Sequence, residues 1–341
     1  MIPAWLLVRD TLNREDVLDA FPWAIQSGQK MVVGTDLDAL LSSVLAHHLF
    51  GWEIAGYYDL RTIWRSSTGG DDKTLREAVW LDLDICRPNL KSIGHHILTI
   101  NGQTPAPPQH ARTLNPNLLR GVGMNPGTSW RRKYPLGTLH FLLWLWNADL
   151  PPRHHESALP LVWLADSAYI NGQSDTPAAR RYRTNVLDWA RNVVPSPVLT
   201  ASLDEIDTDA FEGRVERLRP ILEGCGWVWG QGNIRSRHRN LSGGQCRFTR
   251  PDPVRLNALY QAVARTTGWR APRCPDRFDP LVGTRTHARL SDVLDGPIND
   301  ESLTRFLAAR NAFSYALPFR DQINCTTFAA PQQSGNGRRH G

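Results

Sequence analysis

Carboxylates and imidazoles stand at the ends of short apolar runs through the first half of this 341-residue chain. GTDLDALLSS carries Asp36 and Asp38, VWLDLDI carries Asp82 and Asp84, SIGHHIL carries His95 and His96, and WLADSAY carries Asp166. Oxygen and imidazole ligands converging from several strand ends suit a divalent cation that must keep coordination positions open for a phosphate-bearing substrate. Alternation along an extended segment would turn Asp36 and Asp38 to one side, toward a common site. Two further histidine pairs read as structural, His47-His48 within an amphipathic helix and His154-His155 in a loop beside Pro151-Pro152.

Such ligands need a scaffold that ends several strands at one edge. Met31 to Gly34 runs into Asp36, Glu53 to Tyr58 into Asp59, Ala78 to Leu81 into Asp82, and Leu90 to Ile93 into His95-His96, while Ala39 to Phe50 has helical spacing. The spacing predicts an α/β fold, an open mainly parallel sheet flanked by helices, with its ligand crevice at the C-terminal edge of the strands. From Thr104 to Arg132, Pro, Asn and Gly dominate and predict a long irregular excursion over that edge. An apolar helix then ends near Trp146, and Leu159 to Ala165 reads as a strand leading to Asp166.

A helical segment from Ala178 to Val193 leads to a division near residue 200. Residues 1–199 are expected to carry the site and 200–328 a smaller α+β domain, with helical patterns at Asp207 to Leu222, Pro253 to Thr267 and Asp300 to Arg310 and a β-like end from Phe313 to Phe328. The tail, 329–341, is expected to be disordered.

The net charge is +6, and the 39 basic side chains divide into 35 Arg and 4 Lys. Arginine's planar fork suits bidentate phosphate contacts and a polyanionic partner, although a GC-rich genome produces the same excess. Between Gln231 and Arg250 the basic residues include Arg235, Arg237, Arg239 and Arg247, with Phe248 and no acid, a pattern for tracking phosphates and stacking a base; Trp227 and Trp229 precede it. Arg320 and Asn324 are further candidates to line a cleft. The five scattered cysteines form no C-x-x-C pair and point to a reducing cytoplasm, without zinc or a disulfide framework. No membrane is implied: the N-terminal apolar run is too brief for a signal segment, and Leu139 to Trp146 falls far short of the roughly 20 residues that span a bilayer.

The order of motifs, Asp-x-Asp with small residues after it, an Asp closing a strand, a His-His pair closing the next and a later Asp, resembles the DHH phosphoesterase superfamily over roughly residues 28 to 170. The resemblance implies Asp36, Asp38, Asp82, His95 and Asp166 as ligands of Mn2+ or Mg2+, with Asp84 as the alternative to Asp82, and His96 against the scissile phosphate. It implies hydrolysis of single-stranded nucleic acid or short oligonucleotides by a metal-activated water. The triplet reads Gly94-His95-His96 where the family has Asp-His-His, and Val32 stands where many members have a histidine. These departures imply one firm metal site and keep open a silent DHH-like protein that binds nucleic acid or a nucleotide. Hydrolysis of a small phosphate compound is a third reading. Asp-x-Asp also resembles the haloacid-dehalogenase nucleophile motif, but the Thr or Val expected two residues after the second Asp is Leu40 here.

Overall fold

The computed structural model describes residues 11–102, 108–124, 132–167, 177–205, 250–319 and 321–329, with Arg217, Pro220, Glu223 and Phe248 between them. Of the sequence candidates, Arg235, Arg237, Arg239, Arg247, Arg320, Trp227 and Trp229 lie outside the described residues, as do positions 330–341.

The chain lays down α1 (Arg14–Ala20), β1 (Lys30–Val33), α2 (Leu37–Phe50), β2 (Glu53–Tyr58), β3 (Thr62–Ser66), α3 (Asp72–Glu77), β4 (Val79–Leu81), β5 (Lys91–Ile93), β6 (Thr113–Leu114) and α4 (Pro116–Leu119). Helices α5 (Thr138–Leu145), α6 (His155–Leu164), α7 (Pro177–Asp188), α8 (Pro197–Glu205) and α9 (Pro253–Thr267) follow. The remainder is β7 (Phe278–Val282), β8 (Thr284–Arg289), α10 (Leu290–Val293), α11 (Asp300–Ala309), β9 (Ala312–Phe319) and β10 (Gln322–Thr327).

Seven strands form a mixed, mostly parallel sheet in the order β6-β5-β4-β1-β2-β3-β7, and β8-β10-β9 form a separate small antiparallel sheet. β1 pairs in parallel with both β2 and β4. The chain therefore leaves β1 toward one side of the sheet and resumes at β4 on the other. Between two such strands the loops part, and a crevice opens outside their carboxyl ends. Asp36 and Asp38 follow β1, and Asp82 and Asp84 follow β4, so the topology delivers both acidic pairs to that switch point.

Alternation along the central strands sorts side chains to two faces. Met31, Val33, Val79 and Leu81 belong to the larger core with α2 and α5, whereas Val32, Tyr58 and Trp80 face a second core that Phe313 and Phe328 help to cover. The small sheet is tied there by backbone contacts, Cys86 N–H to Phe313 O at 2.7 Å and a bridge between Ile85 and Ser314. Strand β7 pairs with β3 as the edge of the large sheet, and Tyr260 of α9 bonds Tyr57 and Ser43. Sheet and core thus both run across position 200.

Three local expectations are corrected. Leu159 to Ala165 is not a strand: residues through Leu164 belong to α6, which contains Pro160. Every residue from Ala158 to Leu164 is buried, so apolar character could not distinguish a strand from an all-round buried helix. Asp36 and Asp38 do not alternate along a strand; Asp36 caps α2 and Asp38 lies in its first turn. The segment from Thr104 to Arg132 includes β6 and α4, the latter capped by Asn115 through the amides of Asn117 and Leu118. Among the described residues no helix is long and apolar enough to cross a membrane.

Trp80 is buried to 1% exposure, meets the rings of Tyr58 and Phe313 edge-on and donates its indole N–H to Leu75 O at 3.2 Å. Trp80→Ala is expected to lower the unfolding free energy by about 3–5 kcal/mol, through lost burial and the cavity left behind. Urea denaturation followed by circular dichroism measures this; a loss below about 1 kcal/mol would contradict the role assigned to this core.

Candidate metal centre

The β1–α2 turn supplies the first carboxylates. Asp36 accepts the Ala39 amide at 3.0 Å, which starts the helix and aims its side chain at the crevice. Asp38 is buried and accepts the amides of Thr138 and Leu139 at 2.5 and 2.8 Å, so it caps α5, whose own N-cap position is Gly137. A Cβ on Gly137 would stand 2.7 Å from the Asp38 Cγ, so glycine makes this close seat possible. The positive end of α5 in turn favours the carboxylate.

Asp82 leaves β4 with φ +57°, a left-handed conformation uncommon for a residue with a side chain. It accepts the Thr138 hydroxyl at 2.6 Å, and beyond burial the neighbouring Asp36 carboxylate raises its pKa further. Asp166, after α6, is also left-handed, at φ +52°. Its Oδ2 lies 2.5 Å from Nε2 of His95.

His95 ties these elements together. Its Nδ1 is 2.9 Å from the Thr138 oxygen, 3.5 Å from Asp82 Oδ1 and 3.9 Å from Asp38 Oδ2. Nδ1 of His95 thus meets the Thr138 hydroxyl and Nε2 meets Asp166, so both ring nitrogens are hydrogen-bonded. His96 packs its ring against that of His95, with centroids 3.9 Å apart. Asp38, Asp82 and His95 are buried, whereas Asp36, His96 and Asp166 keep part of their surface open and form the mouth of the site.

One ligand atom each from Asp82, His95 and His96 lie within 4.8 Å of one another, and the same holds for Asp38, His95 and Asp166. These acidic and imidazole groups could hold a metal ion, since the donors are those that hard to intermediate divalent cations take. Asp36 stands beside this set, close enough to Asp82 to raise its pKa. Asp84 does not join it: Oδ2 accepts the amides of His96 and Ile97 at 2.7 and 3.2 Å, and Oδ1 accepts Asn115 Nδ2 at 2.9 Å. The sequence offered it as the alternative to Asp82, and of the two only Asp82 has a ligand atom in these groups. His47 and His154 lie away from the site, His47 bonded to Trp52 O and His154 to the Arg153 guanidinium.

Electrostatics follow from burial and crowding. Burial, then the charge of Asp82 and Asp166, raises Asp38 well above the ordinary carboxylate range. Asp82 is raised by burial and then by Asp36 and Asp166, and Asp36 by burial and then Asp166. For His95 burial opposes the charged ring, yet Asp166, Asp38 and Asp84 raise its pKa overall. For Asp166 burial also opposes charge, but His95, His96 and His140 hold it below the usual range. His96 is pushed down to about 3 by burial and by the charge on His95, which leaves it neutral at pH 7.

Sequence reasoning missed Thr138, the hub between Asp82 and His95, and Lys133, whose charge reaches His96, Asp166 and Asp84. The signal available for Thr138 was its place after Gly137 at a helix start; Lys133 had none. Asn117 was missed too. It holds His95 O and the Tyr134 amide at 2.8 and 2.7 Å. Comparison of the chain with protein-family models, curated proteins and solved structures finds no match.

Two pH effects are expected. A cation must displace protons held by His95 and by the raised carboxyls, so Mn2+ uptake should release protons and tighten as pH rises from about 5.5 to 8. Without metal, raised pKa values make the folded state bind extra protons. That contribution to stability is present below the unfolded value of each group and is lost as pH climbs through the folded one. His96, His110 and His140, lowered to about 3, 3 and 4, act oppositely, but only below their unfolded value of about 6.5. In chelator the melting temperature should therefore fall above pH 6.5, and Mn2+ should reduce that fall. Calorimetric titration in buffers of different ionisation enthalpy reads the protons; pH-independent Mn2+ affinity would exclude this assignment.

Proposed function

We propose that this chain is a divalent-metal-dependent phosphodiesterase of the DHH type, acting on single-stranded nucleic acid or short oligonucleotides. The observation that carries the reading is the convergence of Asp38, Asp82, His95, His96 and Asp166, with Asp36 beside them, at the crevice between β1 and β4. The same residues in the same order carry the resemblance in the sequence. Asp36, Asp38, Asp82, His95 and Asp166 would hold Mn2+ or Mg2+, and the imidazoles weigh toward Mn2+. When bound, the cation supplies Lewis acidity: it makes water nucleophilic at neutral pH and offsets charge on phosphoryl oxygens.

The chain's own residues supply the rest. Neutral His96, at the open mouth, can donate an N–H to a phosphate oxygen. Lys133 adds positive charge near it. Thr138 keeps Asp82 and His95 in one orientation, and the amides at the start of α5 hold the Asp38 carboxylate in place. A polyanionic substrate accords with the net charge of +6. Phe248 donates its amide to Thr35 O in the β1–α2 turn at 3.0 Å.

A 5′-labelled single-stranded oligonucleotide should be cleaved with Mn2+ and left intact with chelator. Asp82→Asn and His95→Ala, checked for folding by circular dichroism, should each lose at least about 100-fold in rate, and binding should weaken steeply with salt as counterions are released. Cleavage that survives both substitutions would rule out this centre. Absence of cleavage with salt-sensitive binding retained would instead favour a silent nucleic-acid-binding protein.

A further inference from the structure

One buried carboxylate beside the centre is not needed as a ligand. Asp84 is 5% exposed, and its two oxygens take three protein donors, the consecutive amides of His96 and Ile97 and the side-chain amide of Asn115. It occupies volume that belongs to another residue's side chain. A Cβ built on Gly94 would lie 2.7 Å from the Asp84 Cγ and 2.8 Å from each of its oxygens. Gly94 has no positive φ, so its backbone does not demand glycine; the space does.

We infer that Asp84, seated over Gly94, is a positioning residue that fixes the peptide joining His95 to His96 and with it the imidazole pair of the proposed metal centre. That peptide is a rigid plane. Its N–H end, on His96, is held by Asp84 Oδ2 at 2.7 Å, and its C=O end, on His95, by Asn117 Nδ2 at 2.8 Å. Rotation of the plane would swing the imidazoles in opposite directions, and Asp82, His95 and His96 would cease to offer converging atoms. Asn115 closes the arrangement: its amide nitrogen holds Asp84 while its oxygen accepts the Asn117 and Leu118 amides, so it cannot flip without uncapping α4. All three groups on Asp84 are donors, so the position calls for an acceptor-only carboxylate. Asparagine would turn an NH2 toward one of them.

The inference rests on the metal reading above, and its test separates the two. Mn2+ affinity is measured by calorimetry for the full chain and for Asp84→Asn, Gly94→Ala and the double variant Asp84→Ala/Gly94→Asp. Amide hydrogen exchange at His96 and Ile97 is followed without metal. Gly94→Ala removes no polar group and only displaces the carboxylate. Both single variants should bind Mn2+ roughly 10- to 100-fold more weakly and exchange the two amides faster, with the fold intact by circular dichroism. The double variant should recover most of both losses, since an aspartate at 94 can reach amides two and three residues ahead, as Asx turns do. Single variants with wild-type affinity would overturn the inference while leaving the metal centre standing, as would a double variant no better than the singles. A wild-type chain that takes up no Mn2+ would overturn the metal reading itself. If Asp84→Asn fails to fold, Gly94→Ala and the recovery in the double variant decide.

Discussion

Crowding several carboxylates into a poorly solvated crevice is the constraint on which this architecture depends. Like charges at short range in low dielectric repel, and each loses hydration it held in the unfolded chain. The fold answers with directed donors. Asp36 and Asp38 take amides at the starts of α2 and α5, Asp82 takes the Thr138 hydroxyl, Asp84 takes loop amides and Asn115, and Asp166 pairs with the His95 ring. Helix α5 is placed by this demand as much as by its apolar face, because its first amides have Asp38 as their acceptor.

The donors cannot relieve every charge. Burial and mutual repulsion raise the pKa values of Asp36, Asp38 and Asp82, and the surrounding carboxylates raise that of His95, so the cluster favours bound protons over bare negative charge. This is the electrostatic condition of a site suited to a divalent cation: positive charge is wanted at its centre, and the groups that would surrender protons are the prospective ligands. A purely structural ion cluster would have no reason to leave Asp36, His96 and Asp166 at an open mouth.

Much of the scaffold was legible in the sequence, and the reason is local. Each apolar run closing on an acid or a histidine pair is a strand whose polar end has to emerge at one edge, so β1, β2, β4 and β5 and the helix after β1 could be read from period and punctuation. The same acids could be named as candidates because they sit where such strands stop. What failed needed tertiary knowledge. Helix α6 is buried on all sides and so has no amphipathic period. β7, from beyond residue 250, completes a sheet that began at residue 30, and its edge position depends on pairing with β3 rather than on its own sequence. Asp82 and Asp84 look alike in VWLDLDI; only the left-handed turn at Asp82 and the amides around Asp84 separate the one that joins a possible metal cluster from the one that does not.

Three glycines show how the missing information is carried. A Cβ on Gly34 would stand 2.9 Å from the Ala39 Cβ and 3.3 Å from the Asp82 backbone oxygen, while Cβ atoms on Gly94 and Gly137 would each stand 2.7 Å from a carboxylate carbon, of Asp84 and of Asp38. None of the three needs glycine for its dihedrals, and Gly94 and Gly137 each accommodate an acid delivered by another segment of the chain. Removing a side chain at one position is thus what allows a charged group at another to approach the backbone and find its donors. A residue-by-residue reading scores Gly94 as a lost acid. In the folded chain the space at Gly94 is filled by the Asp84 carboxylate from the end of the neighbouring strand, and the glycine is the condition for its being there.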